Sequence, residues 1–296
     1  MIFSVQGGIG THEEDEFLRL HYNIQSTGWG TPFLLVPEAT TVDDDTLKLL
    51  CDAKKEDVVL SKNSPLGVRF YYLKGTSADK EKMLRIKNGR PGSPCTEKHL
   101  AFNTDFTKEP ICTASYKYQK LKVGQVQSLN LPEHEYKRQL NDVLDKECLC
   151  VGLSNAAAIN YKQTFIKTLS AVTICPGPNI AYFSKVVSLQ TMTDHIYGRK
   201  NILANADRPH MFIAELHLYI DYLKEQLRED FHTEHFEKKK KYYASFYKNL
   251  WDGIAYYRQL QGILGRDRNQ FVKALHNAEI ELDYLNYQHA INEECY

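Results

Sequence analysis

The sequence has no surplus of either charge. Its 37 Lys and Arg residues are balanced by 37 Asp and Glu. It therefore lacks the basic excess that displaces counterions from a nucleic acid, and no nucleic-acid role is expected. It has no apolar run near the roughly 20 residues that span a bilayer, so no membrane segment is expected. The opening MIFSVQGGIG lacks the basic n-region and long apolar core of a signal peptide. Cysteine is scarce for a disulfide scaffold, with seven in 296 residues, and an odd number cannot all pair. No GxSxG, HExxH, Walker A or full GxGxxG pattern occurs. What is present is 43% hydrophobic and 11% aromatic residues, enough for one large core or two modest ones. The expectation is a globular, cytoplasmic chain.

Three regions differ in texture. Residues 1–75 are apolar runs broken by Gly and Pro. Residues 76–200 hold most of the cysteines and several turn dipeptides. Residues 201–296 contain no Pro after Pro209 and are rich in Tyr, Leu, Lys and Glu. In this last region Asp207 and Pro209 read as a helix start. Phe212, Leu216, Tyr219, Ile220, Leu223 and Leu227 recur at three- and four-residue steps, as do Tyr243, Phe246, Leu250, Ile254 and Tyr257. After Gly262 and Gly265, Phe271, Leu275, Ala278, Leu282 and Leu285 repeat the pattern. Three amphipathic helices in a helical array are expected, with the Lys238–Lys241 run on a solvated face.

The N-terminal region carries the first chemical signal. An apolar run enters Gly7-Gly8-Ile9-Gly10 and is followed by Thr11, which with Glu14 matches a capping box. That pattern reads as strand, glycine turn and helix, with Phe17, Leu18 and Leu20 facing inward. Glycines let backbone amides approach a ligand, and a helix start suits a phosphate. Glu13, Glu14, Asp15 and Glu16 would equally complement the helix dipole with no ligand at all. A second glycine turn, Gly28-Trp29-Gly30-Thr31, runs into the apolar stretch Phe33–Val36. Two such β–α junctions can place both loops at one edge of a parallel sheet, where barrels hold phosphate groups.

QGGIGT, followed one helix later by STGWGTPFLLVPEAT, resembles the closing part of the flavin-dependent TIM barrels of the nitronate monooxygenase (2-nitropropane dioxygenase-like) group. DVVLSKNSPLGVRFYYLKG at 57–75 is similar to that family's post-barrel segment. The resemblance covers roughly the first quarter of the chain. It implies an FMN phosphate cradled by Gly7, Gly8, Ile9, Gly10 and Thr11 and by Gly28, Gly30 and Thr31. Phe33 also matches the family pattern, whereas its GTRF arginine is replaced here by Pro32. It further implies that the earlier strands and the family's catalytic histidine lie outside this chain, which would then be the C-terminal part of a longer protein. The implied activity is that of an FMN-dependent oxidoreductase acting on a small molecule, completed by the rest of a barrel or by a protein partner. The fold class expected is α/β: a partial (β/α) barrel end at 1–75, an α+β cysteine-bearing region at 76–200, and an α-helical extension at 201–296.

The second chemical signal is sulfur. Cys95, Cys112, Cys148, Cys150 and Cys175 fall in the middle region, and thiolates in such numbers suit zinc or an Fe–S cluster. If residues 148–150 were a strand, Cys148 and Cys150 would share one face. The spacings of 17, 36, 2 and 25 residues match no standard zinc or ferredoxin pattern. CLCVGL and VTICPG also read as core strands with plain buried thiols, and a redox thiol is a third reading. A metal- or Fe–S-organised interaction module, or an inactive fragment, is the alternative to the flavin enzyme. His195, with Asp194 and Arg199 near a helix end closed by Gly198, reads as a buried or capping residue before a proton-transfer group.

Overall fold

A computed structural model of the chain describes residues 2–163, 171–204, 207–231, 233–260 and 268–291. It is a helix-rich mixed fold in two compact units, Met1–Ala206 and Asp207–Tyr296. Among the described residues the strands form two separate two-stranded sheets and no closed barrel. No described helix is long and apolar enough to cross a membrane.

In the N-terminal unit, β1 (Ser4–Gln6) pairs in parallel with β2 (Ser26–Gly28), with Ser4 opposite Ser26 and Gln6 opposite Gly28. Between them lies α1 (His12–His21). Its cap is the one expected: Thr11 Oγ1 accepts the Glu14 amide at 3.2 Å, and Glu14 Oε2 accepts the amides of Gly10 at 2.8 Å and Thr11 at 3.3 Å. Leu18 faces inward with Glu14 and Asp15, but Leu20, two residues on, points to the opposite side of α1 and is 77% exposed. The apolar run after the second glycine turn is a 3-10 helix, Thr31–Leu35, started by Pro32. Next come α2 (Asp44–Asp52), capped by Asp43, and the antiparallel pair β3 (Val58–Ser61) and β4 (Phe70–Leu73). The helices α3 (Ser77–Lys87), α4 (Tyr116–Ser128), α5 (Glu133–Leu144), α6 (Leu149–Gly152), α7 (Asn155–Asn160) and α8 (Leu189–Ile196) complete the unit.

The core joins Leu35, Val42, Leu50, Val58 and Leu73 to Ile174, Ile180, Tyr182 and Phe183. The CLCVGL stretch is therefore not a strand. Residues Leu149–Gly152 form the helical turn α6, with Cys148 just before it, so alternation along a strand does not relate Cys148 to Cys150. VTICPG is not a strand either: residues 172–177 join no sheet, although Val172, Thr173 and Ile174 are buried. α8 is capped by Ser188 and closed by Gly198 at φ +71°.

The second unit is a three-helix array of α9 (Met211–Asp230), α10 (Glu234–Leu260) and α11 (Arg268–His289). The stretch containing Gly262 and Gly265 lies outside the described residues. α9 starts later than Asp207 suggests, with the His210 ring accepting the Phe212 amide at 3.3 Å. Phe212, Leu216, Ile220, Leu223 and Leu227 are buried, but Tyr219 is 46% exposed because it sits at the margin of that stripe. On α10 the buried face includes Tyr243, Tyr247, Leu250 and Ile254, while Phe246 is only half-buried. All five apolar positions expected on α11 are buried. Contacts of Phe212 with Tyr257 and of Asp230 with Tyr243 make α9 and α10 antiparallel, and Arg258–Glu279 with Tyr247–Asp283 does the same for α10 and α11. Each buried Leu, Ile or Phe contributes about 1.5–3 kcal/mol, so the array is held chiefly by these stripes.

One polar knot joins α9 to the start of α10. Asp230 accepts hydrogen bonds from the Tyr243 hydroxyl and from Lys239 Nζ, the latter at 2.7 Å. Burial pushes its carboxyl pKa up, but the Lys239 ammonium and the Tyr243 hydroxyl outweigh that and hold it below the ordinary value. A carboxyl with a depressed folded pKa adds stability that is fully present above its unfolded pKa and is lost as pH falls through the folded value. Asp230→Asn is therefore expected to lower stability by about 1 kcal/mol at neutral pH. In thermal melts the gap between the two proteins should close as pH drops below the ordinary Asp value. A gap independent of pH would contradict the charge-based account.

Candidate functional site

The parallel register of β1 and β2 has a direct consequence: both glycine turns leave the sheet at the same edge. Gly7 and Gly8 have φ of +99° and +71°, a left-handed backbone that L side chains rarely adopt, so the first turn needs glycine. The two turns enclose a cleft of about 280 Å³ lined by Gln6, Gly7, Gly8, Ile9, Gly28, Trp29, Gly30, Thr31, Pro32 and Asn179. Of the eight residues expected to bind a cofactor, six line it. Gly10 and Thr11 stand beside it, with their amides already bonded to Glu14. Glu14 thus occupies the helix N-terminus as an internal anion. Neither Glu14 nor Asp15 repels the cleft as a bare charge: both are buried, and Asp15 is paired with Arg19 at 2.8 Å and hydrogen-bonded by Thr27.

The turns are held from behind by residues far away in sequence. Asn179 Nδ2 donates to Ile9 O at 2.9 Å, and a ring nitrogen of His195 lies 3.0 Å from Gly10 O. The Gly177 amide donates to Thr31 Oγ1 at 3.0 Å. His12 Nδ1 is 2.9 Å from Ile196 O, which ties α8 to the start of α1. Trp29 lies edge-on to the His195 ring with centroids 5.8 Å apart, as does Phe183. The indole Nε1 of Trp29 is shielded from solvent and has no hydrogen-bond partner among the described residues. A buried donor without a partner costs about 1–3 kcal/mol. Sequence reasoning passed over Gln6, Trp29 and Asn179 as site residues. Only the indole next to a glycine turn could have flagged one of them.

The cysteines divide differently from the sequence grouping. The Cys95 and Cys112 side chains interact, and each shifts the other's titration. Cys148 Sγ and Cys150 Sγ are 3.7 Å apart. The charge of Cys148 raises the Cys112 thiol, and that of Cys95 raises Cys150. Cys175 is exposed and has no other cysteine among its interacting neighbours in the described residues. Cys51 is half-buried beside Val186, and Cys295 lies outside the described residues. The hydrogen bond from Cys112 holds the Cys95 thiol well below the usual thiol range against the effect of burial. The backbone amides of Lys98 and Cys112 and the Lys98 charge assist it. Cys112 is pushed up in return, and Cys150 is raised by burial and by Cys148. Among the described residues no group of three or more His, Cys, Asp or Glu side chains could hold a metal ion.

His195 is a packing and positioning residue. It is 3% exposed, faces carbonyl oxygens at both ring nitrogens, and supports Trp29 and Phe183. Its replacement in His195→Ala should cost about 2–4 kcal/mol, from a lost ring and an unpaired Gly10 carbonyl. Denaturant unfolding checks this, and wild-type stability in the variant would contradict a structural role. No protein-family model, curated protein or solved structure matches this chain.

Proposed function

We propose that the two glycine turns hold the phosphate end of a flavin mononucleotide, as part of an FMN-dependent oxidoreductase site of the nitronate monooxygenase-like kind. One observation carries this reading: two turns from the same edge of a parallel strand pair line one cleft, and five of its ten lining residues are Gly or Thr. In (β/α) barrels, loops at one such edge of the parallel sheet are where phosphates sit. The cleft's 280 Å³ falls just below the roughly 300–1,000 Å³ of sites that enclose a whole drug-sized ligand. It suits one end of the flavin, the phosphate and adjoining ribityl chain, and leaves the ring to lie beyond the two turns.

The chemistry of the lining fits an anion held without a countercharge. Gln6, Thr31 and Asn179 supply polar side chains, and the glycines bring the backbone to the surface. Thr31 accepts the Gly177 amide and so keeps its own hydroxyl proton to donate. Because Glu14 fills the α1 N-terminus, the phosphate belongs against Gly7–Ile9 and Gly28–Thr31, not against Gly10 and Thr11. The lining contains no titratable side chain, so the cleft binds and does not catalyse. Hydride or oxygen chemistry on a small substrate is assigned to groups beyond these turns.

Gly30 gives a clean test. Its backbone is α-like, with nothing within 4 Å of an added Cβ, so Gly30→Leu should fold normally while filling the cleft. Flavin fluorescence titration of the whole chain is expected to show FMN binding at least about tenfold tighter than riboflavin, through charge-assisted hydrogen bonds to the phosphate. Gly30→Leu should remove that preference. Equal affinity for FMN and riboflavin, or FMN binding untouched by Gly30→Leu, would sink the assignment.

A further inference from the structure

Cys148 and Cys150 take no part in the glycine-turn cleft, and their geometry gives them a chemistry of their own. Their sulfurs are 3.7 Å apart, in van der Waals contact. Only Leu149 separates them, and its helical backbone at the start of α6 sets the flanking Cα atoms about 5.4 Å apart. That separation lies inside the roughly 4.4–6.8 Å that disulfides span. In a regular helix, side chains two residues apart point away from one another. Cys148 precedes the helix with ψ +83°, and this non-helical backbone lets its sulfur turn to the side of Cys150. A sulfur–sulfur bond of about 2.05 Å asks the two atoms at 3.7 Å to approach by about 1.6 Å, which side-chain rotation supplies.

The backbone that carries the pair is fastened on both sides. The Glu147 amide donates to Asn63 O at 3.0 Å, the Gly152 amide to Cys148 O at 3.1 Å, and the Thr173 amide to Gly152 O at 3.0 Å. Held this way, the two thiols stay neighbours, so a reaction at one meets the other as an intramolecular partner. Both are half-buried, whereas Cys112 is buried. Cys148 also lines a small cavity with Glu81, Arg85 and Glu147. Its volume of about 20 Å³ exceeds the roughly 10–15 Å³ that one water needs. Hydrogen peroxide is on that scale, and a peptide-sized disulfide is not. Two lining residues keep a buried polar atom without a hydrogen-bond partner among the described residues, Glu147 Oε1 and Arg85 Nε. The surroundings are therefore polar enough for a small hydrogen-bonding molecule.

We propose that Cys148 and Cys150 are a dithiol–disulfide pair, oxidised by hydrogen peroxide at Cys148 and closed by Cys150. In the first step the Cys148 thiolate attacks one peroxide oxygen. The S–O bond forms, the O–O bond breaks, and the departing hydroxide takes up a proton as water. Cys148 is now a sulfenic acid and the peroxide has been reduced by two electrons. In the second step the Cys150 sulfur gives up its proton and attacks the Cys148 sulfur. The S–S bond forms, the S–O bond breaks, and a second water leaves. The sum is two thiols and one hydrogen peroxide giving one disulfide and two waters. Burial and the neighbouring Cys148 push the Cys150 thiol up, which suits it to the second step. An external thiol restores the pair by exchange. Cys175, which is exposed, has no such partner.

The experiment uses the full chain, purified under reducing conditions, freed of reductant and exposed to a small molar excess of hydrogen peroxide. Remaining thiols are alkylated, and the chain is cut with trypsin. The peptide from Glu147 to Lys162 holds both sulfurs and no other cysteine. It should lose two hydrogens and escape alkylation, with at least about nine-tenths of its oxidised form as the disulfide, because closure is intramolecular. Treatment with dithiothreitol before alkylation should return both thiols. Cys150→Ser should leave Cys148 as a sulfenic acid that a cyclic 1,3-dione captures, whereas Cys175→Ser should form the disulfide as the unmodified chain does. Should Cys150→Ser fail to fold, the peptide mass from the unmodified chain decides the question. Three results would overturn the proposal: both sulfurs still alkylated when Cys175 has been oxidised, sulfinic acid in place of the disulfide, or Cys148 or Cys150 bonded to a different cysteine.

Discussion

The N-terminal unit depends on how one buried, non-sheet segment, 171–183, satisfies its backbone. A chain buried away from water must pair its amides and carbonyls, and this one does so by reaching into every neighbouring element. Val172 donates to Ser77 Oγ at 2.8 Å and accepts from Ala78, while Thr173 donates to Gly152 O at 3.0 Å. Ile174 O accepts the Leu73 amide at 3.1 Å, which extends the edge of β4. Further along, Gly177 bonds Thr31 and Asn179 bonds Ile9. Ile174, Ile180, Tyr182 and Phe183 lie in the same core as Leu35 and Leu50. With only two strands in each sheet, neither pair would be stable alone. The segment is what lets them act as a scaffold.

Its two ends serve two chemically different places. One end holds the glycine turns from behind, through the Asn179 side-chain amide on Ile9 O and the Gly177 backbone amide on Thr31 Oγ1, and the cleft lining itself has no charged side chain. The other end packs beside Gly152, four residues after Cys148, where polarizable sulfur is gathered. The acidic start of α1 reconciles the glycine turn with its own sequence. Glu14 does at the helix N-terminus what a ligand anion would otherwise do, so that turn is rigid before anything binds. A pre-formed turn loses less entropy on binding any ligand.

The sequence made local features legible and long-range ones obscure, for a physical reason. The α1 capping box, the Ser188 cap and the three apolar stripes of the second unit depend on residues three or four apart, and periodicity reports them directly. Their margins were less clear. Tyr219 lies at the edge of its stripe, where burial depends on what packs opposite, and Leu20 lies on the far side of α1 from Leu18. CLCVGL reads equally well as a strand or a buried helical turn because a short apolar run has no period of its own. The six cleft-lining glycine-turn residues were visible because both turns are written in small residues. Asn179 was not, since it reaches Ile9 from 170 residues away. The sulfur grouping was half legible: composition marked five cysteines, but only folding sets Cys175 apart from the other four.

The most direct test of this account is hydrogen exchange measured residue by residue on the native chain. The amides of Leu73, Val172, Thr173 and Gly177 should exchange only through unfolding of the whole N-terminal unit, with a common dependence on denaturant. Exchange of Val172 and Thr173 at the rate of an open loop, while α1 and α2 stay protected, would show that the segment does not hold the unit together.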